Sequence, residues 1–138
     1  MKKFELTSET KINIFGKKLF RIKALISFAD VEAGETGGWV EKEGNVNQSG
    51  NAWVYGDAMV YGDAMVSGDA DYTTIHGFGT QFRTTTFFRC KDKKVRVACG
   101  CFFGTIPEFR EQVKNTRKGK IAEEYLMIAD LMENHFEK

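Results

Sequence analysis

The sequence predicts a mainly β protein with C-terminal helices, built around a short coil of stacked parallel strands. Three observations support this. Glycine recurs every six residues from Gly44 to Gly68. Residues 10–26 and 82–103 alternate apolar and polar side chains, as hairpin strands do. The last third carries a helix-capping signal and an apolar stripe at helical spacing. We therefore expect three parts: a hairpin cap (1–37), the repeat (38–75) and a small α+β module (76–138).

The cap is expected to be one β-hairpin. Ile12 and Ile14 alternate with polar residues, as do Phe20 and Ile22 after them. The sequence Gly16-Lys17-Lys18 between them supplies the turn.

The repeat excludes a helix, since 3.6 residues per turn does not divide six and regular glycine is unfavourable in helices. Asn or Asp follows each glycine, which favours a tight corner there. Short strands between such corners would stack as a coil, about 4.8 Å apart. A series of tiny hairpins is the alternative, disfavoured because little strand length remains between corners. The residues expected to point inward are Val46, Ala52, Val54, Ala58, Val60, Ala64, Val66 and Ala70.

The segment Val54-Tyr55-Gly56-Asp57-Ala58-Met59 resembles the hexapeptide-repeat proteins, which form left-handed parallel β-helices. It keeps their aliphatic residue and small fifth residue, and departs by placing Tyr or Ser where they often have Gly. The resemblance implies three hexapeptides per coil, hence about two coils here. It also implies a homotrimer or a multiple of three.

An oligomer interface is expected on the outer face of this coil. If Val and Ala point inward, the aromatic and Met side chains between them point outward. Coverage of that face by the chain's own ends is the alternative. The predicted interface residues are Trp53, Tyr55, Met59, Tyr61 and Met65.

The C-terminal module is expected to contain a second hairpin and two helices. The hairpin turns at residues 91–94, between a Thr/Phe-rich strand and Val95. Thr105 and Glu108 form a capping box for a helix that runs to about Thr116. A last helix spans residues 121–136. Its buried stripe is expected to be Ala122, Tyr125, Ile128, Ala129, Met132 and Phe136.

Four segments resemble an uncharacterised module of bacteriophage and prophage proteins, which often follows the same Gly-Asn/Asp-Ala repeats. The likeness covers nearly the whole chain. It implies a phage-type gene product that works inside a bacterium and names no activity. The segments are Thr84–Arg89, Val97–Phe102, Gly104–Thr105 and Glu124–Leu126.

Composition excludes several classes. The chain of 138 residues has 42% hydrophobic and 28% charged residues, which is ordinary for a globular domain. No apolar run approaches a membrane span, and the N-terminus lacks the apolar region of a secretory signal. Three cysteines favour a reducing, cytoplasmic setting over a disulfide framework. A net charge of +1 gives no general attraction to nucleic acid.

A basic and aromatic face is the main candidate ligand site. Arg side chains bind phosphate, Phe rings stack on bases, and a helix N-terminus favours an anion. The set suits a nucleotide-like ligand. The alternative is that the arginines form salt bridges with Glu108, Glu111 or the last helix, and that the phenylalanines occupy core positions. The predicted ligand-binding residues are Arg83, Thr85, Phe87, Arg89, Arg96, Gly104 and Thr105.

Catalysis and metal binding have weaker signals. His76 follows the last repeat, where hexapeptide acyltransferases carry a catalytic histidine near their coils, so it is a weak candidate base. Cys90, Cys99 and Cys101 fall short of the four ligands of a zinc site, and we expect reduced thiols without a metal. No cofactor is expected.

The sequence therefore favours a non-catalytic, phage-type binding protein in the bacterial cytoplasm. It would counter host defence, by sequestering a nucleotide-derived signal or by binding a defence protein directly. An acyltransferase-like enzyme using His76 and a purely structural oligomer are the alternatives.

Overall fold

The structure is a computed structural model that describes residues 2–13, 16–56, 58–68, 71–78, 83–99 and 102–136. Two four-stranded sheets are followed by two helices. The strands are β1 (Phe4–Ile12), β2 (Lys18–Ala24), β3 (Thr36–Val40), β4 (Met59–Val60), β5 (Tyr72–Phe78), β6 (Arg83–Arg89), β7 (Val95–Cys99) and β8 (Phe102–Thr105), and the helices are α1 (Ile106–Thr116) and α2 (Gly119–Phe136).

The N-terminal sheet has the order β1-β2-β3-β4. Strands β1 and β2 pair antiparallel, with Ile12 opposite Lys18 across the turn, which confirms the predicted hairpin. Ile14 lies outside the described residues. Strand β3 pairs antiparallel with β2 and parallel with β4. The hairpin is thus extended by later parts of the chain, and it forms part of a sheet.

The prediction of a left-handed parallel β-helix is wrong. In the described chain, parallel pairing joins β3 to β4 and Val46 to Val66, and no coil of stacked strands is present. Other residues of the repeat pair with the end of β6 and not with another repeat. Ala64 forms an antiparallel bridge with Cys90, and the Met65 amide donates to the Arg89 carbonyl at 2.9 Å. A six-residue period predicts where the chain turns and which side chains are buried, but it does not determine which strand each segment pairs with.

The local consequences of the repeat are confirmed in part. Gly50, Gly56 and Gly62 have the positive φ that tight corners favour, whereas Gly44 and Gly68 do not. The inward positions are buried at every residue that the structure describes, while Ala70 lies outside the described residues. Those buried positions are Val46, Ala52, Val54, Ala58, Val60, Ala64 and Val66.

The C-terminal sheet is antiparallel in the order β5-β6-β7-β8. The predicted hairpin of β6 and β7 is confirmed, with Arg89 opposite Val95. Strands β5 and β8 were not predicted. Helix α1 begins at the predicted capping box, and α2 buries the predicted stripe from Tyr125 to Phe136, with Ala122 packed at its edge.

The C-terminal sheet is the middle layer of the molecule. One face, with Phe87 and Val97, packs on α1 and α2. The other face, with Phe88 and Ala98, joins the core that the repeat shares with the N-terminal sheet. Successive side chains along β6 and β7 therefore alternate between the helix face and the repeat face of this sheet. None of the helices in the described chain is both long and apolar enough to cross a membrane.

Candidate functional site

The structure does not bring the predicted ligand-binding residues together. Thr85 and Phe87 are fully buried, and Phe87 meets Phe109 edge-on at 6.3 Å between ring centroids. Gly104 is buried opposite Val97 in the sheet. The Arg83 side chain lies outside the described part. The alternative of a core position therefore holds for Phe87, because its strand face is the one that the helices cover.

Arg96 lies on the opposite face from Arg89. Its partner across the hairpin is Phe88, whereas Arg89 is opposite Val95. The expectation that Arg96 joins Arg89 and Phe87 is wrong, since neighbouring positions along a strand point to opposite faces. Two of the predicted residues, Arg89 and Thr105, do line one cleft.

This helix–hairpin cleft lies between the β6–β7 turn, the start of α1 and the end of α2. Its volume is about 610 Å³. Basic side chains stand at one side and apolar side chains form a wall, a combination typical of sites for amphipathic anions. The lining residues are Arg89, Lys93, Lys94, Val95, Thr105, Ile106, Pro107, Glu133 and Phe136.

Arg89 is held rigidly at the cleft. Its Nε donates to Asp71 at 3.0 Å, and its two terminal nitrogens donate to the carbonyls of Lys93 at 3.3 Å and Phe136 at 3.1 Å. The guanidinium also lies over the Phe136 ring, 5.6 Å from its centroid. A guanidinium has five N–H donors, so each terminal nitrogen keeps one more for a ligand. Arg89 thus forms a salt bridge, as the alternative stated, but its partner is Asp71 and none of the carboxylates predicted for it.

Thr105 is engaged by the helix cap. Its amide donates to Glu108 Oε1 at 2.8 Å, and the Glu108 amide donates to the Thr105 hydroxyl at 3.3 Å. The Thr105 hydroxyl also donates to Glu108 Oε1 at 3.0 Å. The two hydrogen bonds from the Thr105 amide and hydroxyl hold the pKa of the Glu108 carboxyl below its usual range. The Glu108 carboxylate thus already occupies the anion position at the start of α1. The first turn of α1 forms a wall of the cleft and does not offer a free anion-binding terminus.

Lys93 and Lys94 are the two basic residues among the seven cleft residues that sequence reasoning missed. Both side chains are exposed and make no ion pair with another described residue. The sequence marked residues 91–94 as a turn, and the lysine content of that turn was the available signal. Glu133, the acidic residue of the lining, is bound to Arg110 at 3.1 Å.

The candidates for catalysis and metal binding do not converge. His76 lies on β5 with its Nδ1 2.9 Å from the Thr84 hydroxyl, and it does not line the helix–hairpin cleft. Cys90 and Cys99 are buried and free, and Cys101 lies outside the described residues. Within the described ranges, no group of three or more His, Cys, Asp or Glu residues could hold a metal ion.

The predicted interface is only partly at the surface. Tyr55 and Met65 are 44% and 42% exposed, and Met59 is half-buried. The outward placement of Trp53 and Tyr61 is wrong, since both are buried. Trp53 packs edge-on against Phe4 and Phe28, and Tyr61 packs on Phe88 and Phe103. The chain's own flanks cover these two, which was the alternative, and oligomerisation stays a prediction.

No known protein-family model matches the chain, and a search of curated proteins finds no match to it. The resemblances to hexapeptide-repeat proteins and to a phage module therefore stay predictions. The function has to be argued from the geometry of the cleft.

Proposed function

We propose that this chain is a non-catalytic binding protein for a phosphorylated, nucleotide-like molecule, which it holds in the helix–hairpin cleft. The observation that carries the proposal is one 610 Å³ cleft in which three basic side chains face an apolar wall. Phosphate groups suit Arg89, Lys93 and Lys94. The base or sugar suits Val95, Ile106, Pro107 and Phe136.

The electrostatics favour an anion. Glu133 is paired with Arg110, and Arg89 is paired with Asp71. The charge that remains in the lining comes from Lys93 and Lys94, which form no ion pair with another described residue. Arg89 is already fixed by three hydrogen bonds, so binding would immobilise few new side chains at its position. Preorganisation of this kind favours affinity without any conformational change.

Binding without turnover fits the lining. The described cleft residues include neither histidine nor cysteine, and the Thr105 hydroxyl is held by Glu108. In the phage setting that the sequence resemblance implies, such a protein would act in the bacterial cytoplasm by sequestering a nucleotide-derived defence signal.

Calorimetric titration of the purified chain with ATP, 3′,5′-cyclic AMP and ADP-ribose tests this proposal. We expect at least one of them to bind, with an affinity that falls as salt is raised. The double variant Lys93→Gln/Lys94→Gln should weaken that binding about tenfold or more, because two cations leave the cleft.

The matched control is Lys118→Gln/Lys120→Gln, which removes the same charge from exposed residues outside the cleft. Equal loss in the control would mean that only net charge matters and would refute the site. Absence of binding for all three compounds would refute the function.

A further inference from the structure

A second cavity lies between the two sheets, on the other face of the C-terminal sheet. Its volume is about 530 Å³, within the range of small-molecule sites. We propose that it binds a free amino acid with an apolar side chain, independently of the helix–hairpin cleft. The lining residues of this inter-sheet cavity are Lys17, Tyr61, Gly62, Asp63, Cys90, Arg96 and Phe103.

Arg96 supplies the site for a carboxylate. One terminal nitrogen, Nη2, donates to Asp92 at 2.8 Å. The other, Nη1, is buried and has no hydrogen-bond partner among the residues that the structure describes. Buried polar groups without a partner are rare in folded proteins, and a charged one is the most costly. The Arg96 side chain as a whole is 24% exposed, so a ligand carboxylate in the cavity would pair with the accessible part of its guanidinium.

The remaining charges of the lining select a zwitterion over a simple anion. Lys17 adds a cation, whose ammonium is 3.5 Å from Glu41. Asp63 is exposed and forms no ion pair with any other described side chain. A ligand that carried only a negative charge would meet Asp63 unfavourably, whereas an ammonium group beside Asp63 is attracted to it.

Arg96, Asp63 and Cys90 all line the cavity. The Asp63 carbonyl accepts from the Lys91 amide at 2.9 Å, which ties the repeat to the strand end beside Cys90. Burial raises the pKa of the Cys90 thiol to about 11, and the charges of Arg96 and Asp63 act on it in opposite directions. A ligand in this cavity therefore shares its lining with a cation, Arg96, and an anion, Asp63.

The apolar part of the ligand would lie on aromatic rings. Tyr61 and Phe103 both line the cavity, with ring centroids 5.1 Å apart. Phe88 packs behind them, 6.0 Å from Tyr61 and 6.1 Å from Phe103. This cluster offers a preformed apolar floor, on which an aromatic or branched side chain can pack.

Three matched compounds test the proposal on the full chain: L-phenylalanine, 3-phenylpropionate, which lacks the amine, and 2-phenylethylamine, which lacks the carboxylate. Calorimetry or ligand-observed NMR should show L-phenylalanine binding about tenfold or more tightly than either analogue, since each lost charge removes a charge-assisted contact. Binding of 3-phenylpropionate as tight as that of L-phenylalanine would overturn the zwitterion assignment.

Variants assign the two charges separately. Arg96→Gln should weaken L-phenylalanine and 3-phenylpropionate alike, whereas Asp63→Asn should weaken L-phenylalanine to the level of 3-phenylpropionate. The controls Lys114→Gln and Glu111→Gln make the same charge changes on exposed positions of α1 and should bind as the native chain does.

Two outcomes would refute the site: no binding of any of the three compounds up to about 10 mM, or unchanged binding in folded Arg96→Gln. Should Arg96→Gln fail to fold, Lys17→Met and Asp63→Asn replace it, because both side chains are at the rim. Lys93→Gln/Lys94→Gln should leave amino-acid binding unchanged, which separates this inference from the proposed function.

Discussion

Gly37 should be the glycine at which a methyl group is least tolerated, since β3 lies directly against the repeat there. A Cβ at Gly37 would stand 2.5 Å from the Val54 carbonyl oxygen and 2.7 Å from the Trp53 ring. Neither neighbour can move easily: the Val54 oxygen accepts from the Gly38 amide at 2.7 Å, and Trp53 is fully buried. The Gly37 carbonyl is itself held by Arg21 at 2.7 Å.

We expect Gly37→Ala to lower the free energy of unfolding by about 3 kcal/mol or more, the upper end for overpacking of a core. This is a large part of the ~5–15 kcal/mol that stabilises a typical domain. For a chain of this length it should lower Tm by roughly 10 °C. Urea unfolding followed by far-UV circular dichroism measures the change directly.

Gly44→Ala is the matched control, because a Cβ there meets nothing within 4 Å. It should change stability by less than about 0.5 kcal/mol. If Gly37→Ala and Gly44→Ala unfold at the same urea concentration, β3 does not pack on residues 53–54 as the structure shows. The reasoning from this close approach would then be refuted.

Three further predictions concern pH. Burial, with the nearby charge of Glu41, raises the pKa of Tyr61 to about 12 from 10.0, so the folded state keeps a proton that the unfolded state loses. The contribution of Tyr61 to stability should fall by roughly 2 kcal/mol between pH 10 and 12, and chemical denaturation should show this as the difference between the native chain and Tyr61→Phe. Burial lowers the pKa of Lys3 from its ordinary 10.5, so the unfolded state binds more protons just below that value. Stability should rise with pH there, a trend that Lys3→Met should abolish in the same assay. The pKa of Glu108 is lowered by its hydrogen bonds from Thr105. Its contribution is present above pH 4.5 and lost as pH falls through the folded pKa, so Glu108→Gln should be less sensitive to acid in urea melts; equal acid sensitivity would contradict the capping argument.

The helices were predictable because their signals are local. The Thr105–Glu108 box and the stripe ending at Phe136 act within one or two turns of the chain. The coil was mispredicted because strand pairing is not local: Val46 meets Val66 in parallel, whereas Ala64 meets Cys90 in antiparallel orientation. A period within the repeat carries no information about flanking strands.

The candidate site failed for a related reason. Arg89 and Arg96 each line a cavity, but not the same one. Their separation depends on the register of the β6–β7 hairpin, which places Arg96 opposite Phe88. A shift of one residue in that register would exchange the two faces, so a sequence without a known turn geometry cannot assign them.

The β6–β7 turn, which sets this register, has an unusual backbone conformation at Lys93, a residue of the helix–hairpin cleft. Lys93 has a φ of 71°, in the left-handed region that glycine occupies with little strain. A lysine there costs about 1 kcal/mol or more relative to an unstrained backbone, although the chain places glycine at seven other positive-φ positions of the described structure. The Lys93 carbonyl accepts from Arg89 and its side chain lines the cleft. Ala29 is the other non-glycine residue of the described structure with positive φ. Glycine at position 93 would relieve the backbone but remove one of the three cleft cations, so the proposed binding role offers a reason for lysine there.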